Sequence, residues 1–306
     1  MRTAAPRAGM SAATPAIGIA MALGAFAMFS AMDTAVKLLG GRYHVVQVAY
    51  LNSLFALIAI AAIGVARGGG WNRLRPRQWR LHLLRWAASY AATLMIFWSY
   101  PRLPLADVYA ILFTSPLLIT ALSVPILGEL VGWRRWSAVL AGFLGVLVIL
   151  GPGGGIVDWP ALVALLGAVG YSLNILLVRK IGIAAEPVEA IGVAGNLLTL
   201  VTTAPLLPLV WAMPSAPDLA LVAGAGMVAG TAFLLLAAAY GTAPAAIIAP
   251  FQYSQMLHGL LIGWVLFSDR PSGRMLLGAS IIVASGLYVL HRETLRHQPR
   301  RPAAPG

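Results

Sequence analysis

The chain has 306 residues, of which 60% are hydrophobic and 10% are charged. Soluble domains carry about 25% charged residues, so this composition excludes a water-soluble globular protein and indicates a chain surrounded by lipid. The net charge of +12 does not indicate a nucleic-acid partner, because the arginines lie between apolar segments rather than in one basic domain.

Ten apolar segments follow one another, each long enough to cross a bilayer as a helix. The first is too long for the core of a signal peptide, so we expect no cleavable signal. We predict an all-α integral membrane protein whose ten transmembrane helices occupy residues 15–38, 44–66, 82–100, 105–127, 134–151, 158–178, 188–211, 218–240, 243–267 and 273–291.

The distribution of lysine and arginine predicts the orientation. With the N-terminus in the cytoplasm, 16 of the 21 basic residues fall on the cytoplasmic side, as the positive-inside rule expects. The arginine-rich stretch RLRPRQWRLHLLR, residues 73–85, is interpreted as a topology anchor. An even number of crossings then places both termini in the cytoplasm, and we expect a bacterial inner-membrane protein.

The two halves of the chain repeat one pattern. In each half an apolar segment ends in an acid, Glu129 or Asp269, and turn residues and a glycine-rich segment follow. Five crossings per half is an odd number, so the halves insert in opposite directions. We predict two inverted five-helix repeats, 15–151 and 158–291, and a basic cytoplasmic tail, 292–306. Inverted repeats are typical of secondary transporters, which bind substrate near the midplane.

Several stretches resemble the EamA-type branch of the drug/metabolite transporter superfamily. They are SAMDTAVKLL (30–39), GRYHVVQVAYLNSLFAL (41–57), LPLADVYAILFTSPLLITALSVPILGELVGWRRW (103–136), LAAAYGTAPAAIIAPFQYSQMLHGLLIGWVLFSDRPS (236–272) and GASIIVASGLYVLHR (278–292). The resemblance covers roughly residues 17–291. It implies a ten-helix carrier of small organic metabolites, with amino acids as the favoured substrate class.

Asp33 and Lys37 stand four residues apart in the first helix and share one of its faces. A charge inside the membrane is costly, so we expect this face to meet water. In one interpretation Asp33 binds an ammonium group or a proton, and Lys37 tunes it. In the other, Lys37 reaches the outer interface and the pair sets the depth of the helix.

The ninth helix carries a dense polar group in the stretch PFQYSQMLH, residues 250–258. Tyr253, Gln255 and His258 lie within two turns of each other, and polar side chains at this density are expected to face away from lipid. A role in substrate binding is one interpretation, with proton transfer by His258 as an extension of it. Hydrogen bonding between helices is the alternative.

Four more polar residues lie in the middle of predicted helices. Tyr90 and Thr93 follow the helical spacing of a cavity wall in the third helix. Asn52 is a mid-helix amide, and Asn174 has the position in the second half that Asp33 has in the first. All four are candidates for substrate contact, and packing is the alternative for the amides.

The sequence offers no motif for an enzyme, a metal site or a cofactor: GxxxxGK[ST], HExxH and GxSxG are absent. We predict a secondary transporter that moves an amino acid or related metabolite by alternating access. A carrier of a vitamin or nucleoside-like aromatic metabolite is one alternative, and a non-transporting scaffold or sensor is another. The predicted partners are the bilayer and the small-molecule substrate, while proton coupling and a homodimer stay open.

Overall fold

The computed structural model describes residues 13–68, 70–77, 79–128, 132–150, 159–181, 187–242 and 248–297. These residues are almost entirely helical, and helices occupy each of the ten predicted segments. The helices are α1 (Ala13–Leu39), α2 (Val45–Ala66), α3 (Trp79–Ser99), α4 (Leu105–Leu112), α5 (Ser115–Leu127), α6 (Trp133–Leu150), α7 (Trp159–Ile181), α8 (Val188–Thr203), α9 (Leu207–Val210), α10 (Ala216–Thr242), α11 (Ser254–Phe267) and α12 (Gly273–His297).

Six stretches of the described chain are long and apolar enough to cross a membrane, judged by length and composition. They are α1, α2, α4 with α5, α7, α8 with α9, and α10. The helices α6 and α12 contain shorter apolar stretches, Trp136–Ile149 and Gly273–Tyr288. The molecule is therefore an all-helical membrane protein. Glu129 and the end of the predicted tail, 298–306, lie outside the described residues.

Prolines interrupt the predicted helices. The fourth segment breaks between α4 and α5 because Pro116 has no N–H to donate to a preceding carbonyl. The hydroxyl of Ser115 donates to the carbonyl of Leu112 at 2.6 Å instead. In the second half, a 3₁₀ turn with a proline near its start, Ala249–Tyr253, precedes α11. The described part of the ninth segment, from residue 248, thus begins with a 3₁₀ turn that leads directly into α11.

Several helix contacts pair up between the two halves of the chain. The helices of the first half, in chain order α1, α2, α3, α4 with α5, and α6, can be matched to α7, α8, α10, α11 and α12 of the second half. Under this match, the contact of α1 with α10 is equivalent to the contact of α7 with α3. The contacts α2–α8, α4–α11 and α6–α12 map onto themselves. Every one of these pairs joins one half to the other, so the two halves enclose a common interior.

Glycines allow the closest helix crossings. A Cβ atom added at Gly230 of α10 would lie 2.5 Å from the carbonyl oxygen of Ala56 in α2, and one added at Gly226 would lie 2.5 Å from that of Asn52. The helices α6 and α12 cross in the same way at Gly145 and Gly278. The backbone of α2 is thereby held directly against α10 around Asn52.

Polar contacts tie the turn between α1 and α2, and the start of α2, to the chain around the start of α10. Asp218, at the start of α10, accepts from Arg42 at 3.0 Å and from Tyr43 at 2.8 Å. The side chain of Gln47 makes two hydrogen bonds to the backbone of Ala212, at 2.7 and 2.9 Å. By the predicted orientation this is the outer end of the molecule, and these contacts join its two halves.

Candidate functional site

A cavity of about 340 Å³ lies among α1, α2, α3, α7, α8 and α10. We call it the central cavity. Helices of both halves line it, and its volume falls within the range of about 300–1,000 Å³ that is usual for small-molecule sites. Three asparagines from three different helices, Asn52, Asn174 and Asn196, contribute to its wall. The cavity therefore combines apolar surface with amide groups that can form hydrogen bonds.

One wall of the central cavity is a fixed aromatic surface. The rings of Trp86 and Tyr90, one helical turn apart on α3, stack with their centroids 5.2 Å apart and their planes 17° from parallel. The indole N–H of Trp86 donates to Thr199 at 3.1 Å, and Thr203 donates to the hydroxyl of Tyr90 at 3.0 Å. Because α8 holds both rings in place, they offer a preformed surface for a planar ligand.

The amide of Asn52 supplies an unused hydrogen-bond donor to the central cavity. Asn52 is 7% exposed, and its Nδ2 atom has no hydrogen-bond partner among the residues that the structure describes. A buried donor without a partner is costly, because it has lost its bonds to water. A ligand with an acceptor at this position would remove that cost.

The central cavity has one charged side chain in its described lining. Arg85, near the start of α3, lines it and donates to the carbonyl of Ile191 at 3.0 Å. Asp and Glu do not occur in that lining. The cavity is thus suited to a neutral ligand or one with a partial negative charge near Arg85.

The structure separates Asp33 from Lys37. Asp33 is buried, and Tyr109 donates to its Oδ2 atom at 2.9 Å. Lys37 instead forms an ion pair with Asp269 at 2.9 Å and donates to the carbonyl of Leu103 at 2.9 Å. Although Asp33 and Lys37 share a face of α1, the ammonium group of Lys37 is thus satisfied by an acid and a carbonyl from other parts of the chain.

The polar group of the ninth segment lies beside α1 and the C-terminal end of α4, outside the described lining of the central cavity. The Nδ1 atom of His258 is 3.4 Å from the hydroxyl of Ser30. Tyr253 packs edge-on against Phe113, with ring centroids 4.9 Å apart. Gln255, on the first turn of α11, is partly exposed. A role of these three residues in substrate binding remains a prediction.

Half of the predicted binding residues line the central cavity. Asn52, Tyr90, Thr93 and Asn174 do so. The other four, Asp33, Tyr253, Gln255 and His258, do not occur in its described lining.

The sequence interpretation missed two residues of this wall. It assigned Arg85 to a topology anchor, and Trp86 was not selected. The spacing of Trp86, Tyr90 and Thr93 at intervals of three or four residues would have indicated a common face.

Comparison with known proteins identifies the chain's relatives. The model of the EamA-like transporter family matches residues 16–151. A riboflavin transporter of Vibrio cholerae is 33% identical, over 76% of this chain and 78% of that protein. A riboflavin transporter of Rhizobium johnstonii is 31% identical, over 71% and 68%. An S-adenosylmethionine uptake transporter of Rickettsia bellii is 26% identical, over 92% and 95%.

A solved structure described only as "Crystal structure of protein" matches with a TM-score of 0.65 at 21% identity, and the match covers 96% of this chain and 100% of that one. It shows a shared fold. The family match, the identity to these bacterial relatives and the apolar helices agree with one another. The chain therefore belongs to the EamA-like transporter family of the drug/metabolite transporter superfamily, and it is a multi-pass bacterial inner-membrane transporter of small metabolites.

Proposed function

We propose that this transporter carries a planar heteroaromatic metabolite of the riboflavin type, bound in the central cavity. The observation that carries the proposal is the fixed stack of Trp86 and Tyr90, which faces the same cavity as the asparagine amides. A fused aromatic ring with carbonyl and ring-nitrogen acceptors would stack on the aromatic wall. It would accept hydrogen bonds from Asn52 and its neighbours at its edge.

Two relatives, 33% and 31% identical, are riboflavin transporters, which supports the same substrate class. The aromatic wall is a feature of this chain's own residues, so the two lines of support are independent. A riboflavin-type ring system is uncharged, which agrees with a lining that has a single charged side chain, Arg85.

S-adenosylmethionine is the competing substrate, because other relatives are uptake transporters for it. That molecule also contains a planar ring, but it carries a sulfonium and an ammonium group. A buried cation needs a compensating carboxylate, and the described lining of the central cavity provides Arg85 and no acid. The charge of the site therefore favours the flavin ring. An amino-acid substrate, which also needs a partner for its ammonium group, stays a prediction.

Transport would proceed by alternating access between two inverted repeats, 15–151 and 158–291. The exchange symmetry of the helix contacts supports this arrangement, since each half contributes equivalent walls to one interior. Coupling to protons through Asp33 or His258 is part of the proposal, because both residues lie on the helices that join the halves, α1 and α11. The orientation with both termini in the cytoplasm is proposed on the charge distribution alone.

The first experiment measures binding to the purified protein. Riboflavin is fluorescent, and stacking on an indole quenches a flavin, so titration of the protein into riboflavin should give saturable quenching. Trp86→Leu should weaken binding about two- to tenfold, since an aromatic pair contributes roughly 0.5–1.5 kcal/mol beyond the area that it buries. Trp136→Leu is the matched control, because Trp136 is 40% exposed and lies outside the described lining of the cavity.

The second experiment measures transport by the protein in lipid vesicles. Riboflavin should accumulate in a time-dependent way, excess unlabelled riboflavin should inhibit it, and a tenfold excess of S-adenosylmethionine should not. Uptake of S-adenosylmethionine with no response to riboflavin would contradict the proposal. So would equal riboflavin binding by the Trp86→Leu and Trp136→Leu variants.

A further inference from the structure

A second cavity, of about 360 Å³, lies beyond the central cavity at the ends of α1, α2 and α3. We call it the outer vestibule. The turn between α1 and α2 and the turn after α3 form its wall, including Gly40, Tyr43, Trp98 and Arg102. It is at the end of the molecule that the predicted orientation places outside.

The two cavities lie along the same faces of three helices. On α1, the central cavity meets Phe29 and Met32, and the outer vestibule meets Val36 and then Gly40. These positions follow one another at intervals of three or four residues, which is the spacing of a single helix face. One continuous face of α1 therefore borders both cavities.

The helices α2 and α3 repeat this pattern. On α2, Val45 and Val48 line the outer vestibule, and Asn52 and Ala56 continue the same face into the central cavity. On α3, the lining of the central cavity runs from residue 85 to residue 97, about 18 Å at 1.5 Å per residue. The lining of the outer vestibule begins on α3 at residue 97 and continues outward.

Phe97 lines both cavities. It is 9% exposed, and Val36 and Val48, which line the outer vestibule at the same level, are 1% and 4% exposed. The three side chains belong to one hydrophobic core cluster. They close the space between the two cavities with apolar groups, which neither water nor a polar metabolite crosses easily. We call these three residues the apolar plug.

We propose that the central cavity and the outer vestibule are two parts of one substrate pathway, interrupted by the apolar plug, and that Phe97 must move for the cargo to pass. The proposal rests on the proposed function of the central cavity, and it adds a second binding position for the same cargo. No polar bond has to break for Phe97 to turn, because its contacts are apolar.

The chemistry of the outer vestibule suits the same planar cargo. The guanidinium of Arg102 lies 3.7 Å from the centre of the Trp98 ring, and it donates to the Trp98 carbonyl at 2.6 Å. A guanidinium held flat in this way can stack on a second planar ring and can donate to its carbonyl oxygens. Tyr43 adds a further aromatic group at the wall.

The test uses Phe97→Ala in lipid vesicles loaded with riboflavin. Removal of the ring should open a passive leak and raise the rate of riboflavin efflux at least about tenfold, equivalent to a lowering of the barrier by about 1.4 kcal/mol. Because Phe97 also lines the central cavity, flavin quenching measures the affinity of the variant separately, and efflux is compared at a riboflavin concentration that saturates each protein. In Phe97→Leu the rate of riboflavin efflux should fall back toward the slow rate of the wild-type protein.

The matched control is Phe113→Ala. Phe113 is 2% exposed and belongs to the same core cluster, yet it does not occur in the described lining of either cavity. The same loss of a buried ring should destabilise the protein without opening a leak. Equal efflux from the two alanine variants would overturn the apolar plug.

If Phe97→Ala does not fold, a second variant tests the proposed pathway. Val48→Phe adds a ring between the cavities, and it should reduce uptake while binding in the central cavity is kept. Uptake at the wild-type rate would overturn the proposal. If the wild-type protein neither binds nor moves riboflavin, the proposed function fails, and that outcome is distinct from the failure of the plug alone.

Discussion

At the scale of single residues, Asn52 shows how a binding group differs from a packing group. Its amide is buried on α2, and its donor has no partner in the described part of the chain. Gln47, one and a half turns away on the same helix, is fully buried but makes two hydrogen bonds to Ala212. The amide of Asn52 therefore keeps a hydrogen-bond donor that the described part of the protein does not use.

Asn52→Leu should therefore weaken ligand binding while leaving the fold as stable as before or more stable. Loss of one hydrogen bond should raise the dissociation constant of riboflavin about five- to tenfold, for a contribution of roughly 1–1.5 kcal/mol. Because the substitution removes a buried donor that has no hydrogen-bond partner, the melting temperature of the ligand-free protein should stay constant or rise. Flavin quenching and thermal unfolding of the purified protein measure the two quantities.

Gln47→Leu is the control for this pair of measurements. It leaves the backbone N–H and carbonyl of Ala212 without their partners, so the melting temperature should fall while the affinity for riboflavin changes little. If Asn52→Leu instead lowered the melting temperature and left binding unchanged, Asn52 would be a structural residue.

Asp33 and Asn52 also show what sequence could predict at this scale. Both are polar residues in the middle of apolar helices, a position that the sequence shows directly, and both are buried in the structure. Which interior surface each one meets depends on the rotation of its helix against its neighbours. Asp33 meets Tyr109 of α4, 76 positions away in the chain, and no local pattern in α1 encodes that distance.

At the scale of helices, the sequence predicted the long elements well. The segment 44–66 became α2 at Val45–Ala66, because apolar length and flanking polar residues determine such a helix. The segment 105–127 is divided into α4 and α5 next to Pro116, where the sequence allows a kink. The end of α12 was placed at 291, but the helix continues to His297, since hydropathy marks the membrane boundary and not the end of helical geometry.

The crossing of α6 and α12 gives a prediction at this scale. Gly278→Ala should destabilise the protein, because the new Cβ would lie 2.6 Å from the carbonyl oxygen of Gly145 and 2.5 Å from a side-chain atom of Ile149. The backbone oxygen cannot move without shifting α6, so the cost should be about 1–3 kcal/mol. The melting temperature and the yield of folded protein measure it.

Gly224→Ala is the matched substitution on another helix. Nothing lies within 4 Å of a Cβ added there, so alanine should be neutral or should stabilise α10 by up to about 1 kcal/mol through its higher helix propensity. A fall in melting temperature for both variants, or for neither, would contradict the close crossing at Gly145 and Gly278.

At the scale of the whole molecule, polar contacts join the halves at both ends. At the outer end, Lys37 binds Asp269, and Arg42 and Tyr43 bind Asp218. At the other end, Glu189 is 1% exposed and lies 3.4 Å from the guanidinium groups of two arginines that precede α3. The proposed alternating access would require these two sets of contacts to open in turn, which polar contacts permit because water can replace each partner.

The predicted orientation of the molecule in the membrane can be tested directly by labelling from one side. The sequence has no cysteine, so one introduced cysteine reports its own position. Trp71 is 80% exposed in the arginine-rich segment between α2 and α3, and Met213 is 83% exposed before α10. If both termini are cytoplasmic, a membrane-impermeant maleimide should label Met213→Cys in intact spheroplasts. It should label Trp71→Cys only after permeabilisation, and the cysteine-free chain sets the background.

Labelling of Trp71→Cys alone in intact cells would reverse the predicted orientation. Labelling of both would place two loops on one side that an odd number of crossings must separate, and the inverted arrangement of the halves would then fail with the orientation.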